Sequence, residues 1–459
     1  MADERFMALS LTEQLAGICS RPVAPATRCR AARHVLDWLG CALVGSTEPA
    51  GRALSAYGKA YSAALGNCFT VGAAPRGAMD AAFINGGLGN ILEMDDLHRA
   101  SILHAGDVVV PAALAVAQEH GSCGNAFLDA IVGGYENAIR IGTAAAASGY
   151  SAWYNSGTCG VFGATFAAGS IMGLSEDQMS DAWGQAGMLA SGIWQCRLEP
   201  THSKQLAAAQ AAQSGVLAAR LAATGFPGAR KILEGELGFF NTYYPAADAS
   251  RVLAEPDANW KIEDVSFKPW SACRHTHPAI EAALNFRAEC PAGDIEQAMI
   301  YTYAAAIDFC DNARPASDHE ARFSLQHCVA VTLLRGDPQL SDFSAYARHD
   351  PAVAALTKRI TIAHDEELTR RFPGMMGSRI EIKLRDGTKR DCAVATAKGD
   401  PENPMSDEEL DAKFLKLAGA AGINEDVAKD VSEQILSFHE HSNLDRLNQS
   451  LAKLTTEPK

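Results

Sequence analysis

Paired cysteines, an excess of positive charge and long apolar runs are all missing from this 459-residue sequence. Its twelve cysteines lie singly between Cys19 and Cys392 with no CxxC pair, so no zinc ribbon or thioredoxin-type motif is expected. Lys and Arg total 40 against 54 Asp and Glu, a net charge of −14, which disfavours nucleic acid and anionic lipid as partners. Apolar runs end well short of the ~18 residues of a membrane span. The sequence predicts a globular protein without a membrane segment.

The N-terminal sequence MADERFMALSLTEQL lacks the basic region and apolar run of a signal peptide. The scattered cysteines are expected to be reduced and to behave as small apolar residues. Both features predict a reducing, cytoplasmic location.

Residues 1–265 show apolar positions repeating at steps of three and four, as in AFLDAIVGGYENAIRIG, which predicts successive helices. The segments 164–174 and 207–225 combine Ala with Gly, and small residues let helix axes approach closely. Ser175, followed by Gln178, fits a capping box at the start of a further helix. A large helical domain is therefore expected.

The pattern changes near Ser266. Residues 297–310 carry β-formers in partial alternation, and 378–396 reads as a hairpin with Asp386-Gly387 at its turn. Helices are predicted at 275–288, 319–335 and 351–358. The chain is helical again after PENPMSDEEL. We therefore expect a mainly α fold, in which residues 1–267 and 401–459 form a helical domain and residues 268–400 an inserted α+β domain.

The segment EMDDLHRASILH places carboxylates beside imidazoles. Such pairs suit general acid/base chemistry, because one partner orients the other or shifts its pKa. They also suit metal binding, and a solvated helix end is the non-functional alternative. Apolar neighbours such as Ile102 and Leu103 argue against a fully exposed strip.

Two further candidates lie in the helical part. Tyr154 and Asn155 precede a Gly-rich helix start, where free N–H groups attract an anion, although close packing would also explain the glycines. Lys204 stands at the head of a nearly charge-free helix. It either lies on the surface or points into a pocket as a carboxylate ligand or base.

The α+β part opens with FKPWSACRHTHP, in which cationic and imidazole groups cluster. Its candidates are Lys268, Arg274, His275 and His277. An HxH pair without a third ligand is weak support for a metal site, so binding of an anionic substrate at a domain junction fits better. Further along, DHEARFSLQHC suggests a salt-bridged helix with His327 pointing elsewhere.

Taken together, several motifs resemble the MmgE/PrpD family of 2-methylcitrate dehydratases and cis-aconitate decarboxylases. They are EMDDLHRASILHAGDVVVPAAL, GTCGVFGATFAAGSIMGLSEDQMSDAWG, SKQLAAAQAAQSGVLAARLAATGFPG, CRHTHPAIEAAL, HEARFSLQ and KGDPENPMS. The resemblance implies a helical domain made from both chain ends, an α+β lid, a homodimer, and neither a metal nor an organic cofactor. It also implies a cleft between the domains that handles small di- and tricarboxylates.

Carried over by position, the family's acidic residue falls on Glu93, its DD pair on Asp95 and Asp96, its histidine on His104 and its lysine on Lys204. Leu97 stands where the family usually has Thr after the DD pair, and two other positions also depart from the family. Tyr154 stands where decarboxylases and dehydratases have His, and His327 stands where decarboxylases have Tyr.

The resulting hypothesis is a cofactor-independent acid/base enzyme that abstracts a proton next to a carboxylate of a small di- or tricarboxylate. His104 is the expected base or acid, oriented by Asp96 or Glu93, with Tyr154 as a proton donor on the opposite side. Positive potential is expected from Lys204, Arg274 and the helix start near Gly157. A lyase is favoured over an epimerase of an iminodisuccinate-type substrate, and a non-catalytic carboxylate-binding homologue and a metalloenzyme are the remaining alternatives.

Overall fold

The computed structural model describes residues 9–62, 66–199, 201–438 and 443–454. The chain divides into two compact units. The first comprises Met1–Ile91, Asp95–Val265 and Ser406–Lys459, and the second Leu92–Met94 and Ser266–Met405. The prediction of a mainly α fold with a smaller α+β part is confirmed. The first eight residues, which bear on the expectation of no signal peptide, lie outside the described residues.

The first unit is built from helices whose interior faces are rich in Ala and Gly. Up to Val265 its α-helices are α1 Leu11–Cys19, α2 Pro25–Thr47, α3 Pro49–Tyr61, α4 Ala78–Gly86, α5 Gly106–His120, α6 Gly124–Ala145, α7 Asn155–Thr158, α8 Gly160–Ile171, α9 Glu176–Leu189, α10 Gln195–Leu198, α11 Ser203–Ala223 and α12 Phe239–Tyr243. Among the described residues, no helix is both long and apolar enough to cross a membrane.

Small residues allow α8 to pack closely against α6 and α11. A methyl group on Gly163 would come within 2.4 Å of the Gly134 carbonyl oxygen, and one on Gly215 within 2.4 Å of Ala164 Cβ. The axes can therefore approach only because these positions lack a side chain. The capping box is also confirmed, since Ser175 Oγ accepts the Gln178 N–H while the Gln178 side chain accepts the Ser175 N–H.

The C-terminal helices α20 (Asp407–Ala420), α21 (Glu425–Leu436) and α22 (Asp445–Ala452) complete the first unit. Lys413 of α20 lies 2.5 Å from the carboxylate of Asp37 in α2, and both side chains are buried. Burial raises the pKa of Asp37 to about 6, although the Lys413 charge acts against the rise. A buried ion pair thus ties the C-terminal helices to α2.

The second unit packs helices on one face of a small mixed sheet. Its helices are α13 His277–Phe286, α14 Ala304–Cys310, α15 Asp318–Arg322, α16 Leu325–Arg335, α17 Ala345–Arg348, α18 Pro351–Thr357 and α19 Glu366–Arg371. Its strands are β1 Ile295–Thr302, β2 Ile360–His364, β3 Ser378–Leu384 and β4 Lys389–Val394. The sheet order is β2-β1-β3-β4, with β1 parallel to β2 and antiparallel to β3.

Two predicted elements of this unit differ from the structure. The strand predicted over 297–310 ends at Thr302, and the Ala-rich residues 304–310 form α14 instead. The helix predicted over 319–335 is split into α15 and α16 because Ser324 caps a new helix start, accepting the His327 N–H at 3.0 Å. The predicted hairpin is confirmed as β3 and β4.

Candidate active site

His104 is presented by a tight loop immediately before α5. The loop closes on itself, since the His98 N–H donates to the Leu103 carbonyl at 2.9 Å and the Leu103 N–H donates back at 3.3 Å. Ile102 adopts a left-handed backbone (φ 52°), a costly conformation for a β-branched residue. The His104 N–H then donates to Ser156 Oγ at 2.9 Å, which fixes the backbone on the N-terminal side of α5.

The imidazole of His104 has one ring nitrogen committed to the protein. Its Nδ1 lies 2.5 Å from Asp95 Oδ2 and 3.0 Å from the Asp96 carbonyl oxygen. A carbonyl oxygen can only accept, so Nδ1 must carry a proton. Nε2 is therefore the ring nitrogen left to exchange a proton, and the side chain is 11% exposed.

The side chain of Asp96 turns to a different set of partners. It accepts hydrogen bonds from His34 Nδ1 at 2.7 Å, from the Tyr135 hydroxyl at 2.7 Å and from the Gly106 N–H at 3.0 Å. Burial alone would raise the pKa of Asp96, but the hydrogen bonds from His34, Tyr135 and Gly106 lower it overall. The carboxylate contacting His104 thus belongs to Asp95, whereas Asp96 contacts His104 through its backbone carbonyl oxygen.

The neighbours of Asp96 are held in their neutral forms. Burial lowers the pKa of His34 to about 4, outweighing the opposite effect of the Asp96 hydrogen bond. Burial and the negative charge of Asp96 raise the pKa of the Tyr135 hydroxyl. Asp96 is therefore a buried anion that accepts hydrogen bonds from neutral donors. Its hydrogen bond with the Gly106 N–H also fixes the end of the loop that carries His104.

Lys204 and Tyr154 lie together in the first unit. The Lys204 ammonium is 5.8 Å from the centre of the Tyr154 ring, and the two residues are 8% and 1% exposed. Tyr154 precedes α7, the helix whose Ser156 holds the His104 backbone. His104 thus contacts α7, Tyr154 immediately precedes α7, and Lys204 lies beside the Tyr154 ring.

Asn155 is engaged within the protein. Its amide donates to the Ser101 carbonyl at 2.8 Å and accepts from the Tyr244 hydroxyl at 2.9 Å, joining the His104 loop to α12 and its C-cap. Nearby, a methyl group on Gly157 would come within 2.4 Å of the Ser191 carbonyl oxygen. Close packing accounts for that glycine.

Glu93 and Lys268 belong to the second unit. The Lys268 ammonium donates to the Glu93 carbonyl at 3.1 Å and lies 4.0 Å from its carboxylate, and both side chains are almost completely buried. Glu93 also has a left-handed backbone (φ 52°). Strained non-glycine residues concentrate at functional sites, so this geometry is consistent with a functional role.

The other predicted residues of the second unit all have partners inside it. The Arg274 guanidinium pairs with the buried Asp400 carboxylate. His275 Nδ1 lies 2.6 Å from the Tyr303 hydroxyl, and His277 Nε2 donates to the Ala272 carbonyl at 3.0 Å.

His327 is buried on α16, where its Nε2 donates to the Asp342 carbonyl at 2.7 Å. Burial lowers its pKa, so the imidazole is neutral near pH 7.

One group of side chains has the composition and spacing of a cation site. Asp95, His104 and Asp107 each offer a ligand atom, and these atoms lie within 4.8 Å of one another. Burial raises the pKa of Asp107 well above its usual range, and the charge of Asp95 adds to the rise. Either a proton or a positive ion would therefore stabilise the two buried carboxylates of this cluster.

Models of two domains of one family cover nearly the whole chain. The MmgE/PrpD N-terminal domain matches residues 10–251, and the MmgE/PrpD C-terminal domain matches residues 270–435. The chain belongs to the MmgE/PrpD family.

Several curated relatives are similar to this MmgE/PrpD chain over most of its length. The cis-aconitate decarboxylase-like protein oryM of Aspergillus oryzae is 27% identical over 457 residues, covering 92% of both chains. The cis-aconitate decarboxylase of Homo sapiens is 27% identical, covering 84% of this chain and 82% of its own. The 2-methylcitrate dehydratase-like protein oryR of Aspergillus oryzae is 30% identical over 51% of this chain and 50% of its own.

Sequence reasoning missed several residues of this MmgE/PrpD site, among them Asp107, His34 and Tyr135. Asp107 had a local signal, because a carboxylate directly before Val-Val-Val at a helix start is poorly placed for solvent. His34 and Tyr135 had none, since each meets Asp96 only through long-range packing.

Proposed function

We propose that this MmgE/PrpD protein is a lyase that removes a proton from the carbon next to a carboxylate of a small tricarboxylate, with dicarboxylates as the wider class. Relatives named as cis-aconitate decarboxylases and 2-methylcitrate dehydratases support lyase activity on a tricarboxylate. The observation that carries the proposal is the contact of His104 Nδ1 with the buried Asp95 carboxylate.

In this proposal His104 exchanges the proton through Nε2. Asp95 holds the Nδ1 proton in place and stabilises the imidazolium that forms when Nε2 takes up a proton. A base fixed in this way loses little freedom during the reaction, because its tautomer and ring orientation are set beforehand.

Lys204 and Tyr154 supply the remaining chemistry. Removing a proton next to a carboxylate builds negative charge on that carboxylate, and a largely desolvated ammonium stabilises such charge strongly. Lys204 is 8% exposed and adjoins the Tyr154 ring, so we assign Lys204 to the substrate carboxylate and Tyr154 to proton donation.

The cationic residues of the second unit remain proposed substrate ligands. Arg274 is already paired with Asp400, and Lys268 lies beside Glu93. Either residue would have to share its charge between that partner and a substrate carboxylate. The three histidines, His275, His277 and His327, are proposed to contact the substrate through hydrogen bonds.

The test is incubation with cis-aconitate, 2-methylcitrate, citrate and an aminodicarboxylate in D₂O, followed by NMR. A decarboxylase releases CO₂ and leaves the number of C=C bonds unchanged, whereas a dehydratase releases water and adds one C=C bond to the product. Solvent deuterium at a stereocentre without loss of CO₂ or water would instead identify an epimerase. Binding of one of these anions without conversion of any of them would favour the non-catalytic alternative.

We also retain the homodimer as part of the proposal. Several large apolar side chains of the first unit are exposed, including Leu237 at 90% and Met188 at 77%. Exposed apolar side chains are consistent with burial against another chain. Light scattering coupled to size-exclusion chromatography tests this by measuring the mass in solution.

A further inference from the structure

The side chain of Asn90 contacts the carboxylate that faces His104. Asn90 belongs to a short 3₁₀ turn, Gly89–Leu92, and is completely buried. Its amide nitrogen donates a hydrogen bond to Asp95 Oδ2 at 2.8 Å. The same oxygen lies 2.5 Å from His104 Nδ1. One carboxylate oxygen therefore receives a donor from the imidazole and a second donor from Asn90.

Hydrogen-bond chemistry decides which end of the Asn90 amide faces Asp95. His104 Nδ1 carries a proton, because it also faces the Asp96 carbonyl oxygen, which can only accept. Asp95 Oδ2 accepts that proton through one lone pair and has a second lone pair for another donor. The NH₂ group of Asn90 is that donor, so the two hydrogen bonds together set the direction of the carboxylate.

The turn that carries Asn90 is held tightly by two helices. A methyl group on Gly89 would come within 2.2 Å of Asp107 Oδ1 in α5 and within 2.9 Å of Trp38 Cδ1 in α2. The turn therefore has no room to move toward either helix. Asn90 presents its donor from a backbone whose position is fixed before any substrate binds.

The rest of the Asn90 amide adds little to stability. Its oxygen is buried and accepts no hydrogen bond from any residue that the structure describes. A buried acceptor without a donor costs free energy, which offsets the gain from the hydrogen bond to Asp95. What the side chain provides is therefore the contact with Asp95 rather than support for the fold.

We propose that Asn90 is a positioning residue for His104, because its hydrogen bond holds the Asp95 carboxylate in the orientation that accepts the Nδ1 proton. The inference rests on the proposed function, in which His104 Nε2 exchanges the substrate proton. A carboxylate that can rotate lets the imidazole leave that orientation, and a misplaced base slows the chemical step. Asn90 acts through Asp95 and, being completely buried, does not contact the substrate.

The full-length protein tests this with the variant Asn90→Leu, which removes the donor and keeps nearly the same shape. We expect kcat to fall by about 10- to 100-fold while KM stays within about threefold, since the base is displaced and the binding groups are unchanged. The melting temperature should change little, because the lost hydrogen bond and the removed unpaired oxygen oppose each other.

Asn85→Leu is the matched control. Asn85 is also buried, but its amide donates to the Phe69 carbonyl at 2.8 Å and accepts from the Val71 N–H at 2.9 Å. Losing both hydrogen bonds should lower the melting temperature, while kcat of the folded protein stays within about threefold of wild type. The two variants should thus show opposite patterns of stability and activity.

A double-mutant cycle shows whether Asn90 acts through Asp95. Adding Asn90→Leu to Asp95→Ala should leave kcat within about twofold of Asp95→Ala alone, because the carboxylate that Asn90 holds is already gone. If the two losses multiply instead, Asn90 acts by another route and the inference is wrong. If Asn90→Leu does not fold, Asn90→Ala in the same cycle decides the question.

Two further results would overturn the inference while leaving the role of His104 intact. One is a folded Asn90→Leu with wild-type kcat. The other is a loss confined to KM, because a displaced base slows the chemical step rather than binding. A folded His104→Gln with full activity would instead refute the proposed function, so the two failures are distinguishable.

Discussion

Replacing Asp96 by Asn tests the role of a buried carboxylate that accepts three hydrogen bonds. The carboxylate accepts from His34 and Tyr135 on Oδ2 and from the Gly106 N–H on Oδ1. An amide has a single acceptor oxygen. If that oxygen takes the Oδ2 position, the new NH₂ group faces the Gly106 N–H, and two donors then oppose each other.

The cost follows from these three bonds. Leaving one buried donor unsatisfied costs about 1–3 kcal/mol. The two remaining bonds lose their charged acceptor, and a charge-assisted hydrogen bond is roughly twice as strong as a neutral one, so each loses about 1 kcal/mol. We therefore expect Asp96→Asn to lower the free energy of unfolding by about 3–5 kcal/mol, a large share of the roughly 5–15 kcal/mol typical of a domain.

The assay is urea unfolding at pH 7 followed by circular dichroism, with Asp257→Asn as the matched control. Asp257 is exposed, so the same chemical change there should alter stability by no more than about 0.5 kcal/mol. Because the pKa of Asp96 lies below its usual 3.8, the difference between wild type and Asp96→Asn should shrink as the pH falls below that value. A loss of less than about 1 kcal/mol for Asp96→Asn, with an unchanged denaturant slope, would refute the reasoning.

Three further predictions concern the surrounding residues. Folded His34 is neutral down to pH about 4, while unfolded His34 takes up a proton below 6.5. Wild type should therefore lose on the order of 3 kcal/mol of stability between pH 6.5 and 4 in urea titrations, and His34→Gln should lose less over that window. Gly89→Ala should destabilise by about 1–3 kcal/mol through its clash with Asp107, whereas Gly17→Ala, in open space on α1, should be neutral or stabilising in the same assay. Lys204→Ala should lower kcat/KM by about 10- to 100-fold, and Lys204→Arg by less, in steady-state assays; equal activity of all three proteins would contradict the role of the ammonium.

Elements with a strong local pattern could be predicted from the sequence. The hairpin of β3 and β4 has alternating Ile380, Ile382 and Leu384 and an Asp-Gly turn, and all of its signals lie within a few residues. Strand β2 was missed because its five residues pair in parallel with β1, far along the chain. Its short pattern carries little information without that partner.

The residues of the candidate site likewise differ in whether the local sequence could predict their roles. His104 and Lys204 stand out locally, one by its acidic neighbours and the other by a helix otherwise almost free of charge. Adjacent carboxylates such as Asp95 and Asp96 cannot be told apart by sequence, because their directions depend on the backbone turn between them. The structure assigns Asp95 to His104 and Asp96 to His34 and Tyr135.

The most direct test of the central claim is the turnover of His104→Gln. Glutamine cannot exchange a proton as imidazole does, so we expect kcat on the tricarboxylate that wild type converts to fall by at least about 10²-fold. The melting temperature and the substrate dissociation constant, measured by calorimetry, should change little. A folded His104→Gln that binds the substrate and turns it over at the wild-type rate would contradict the account.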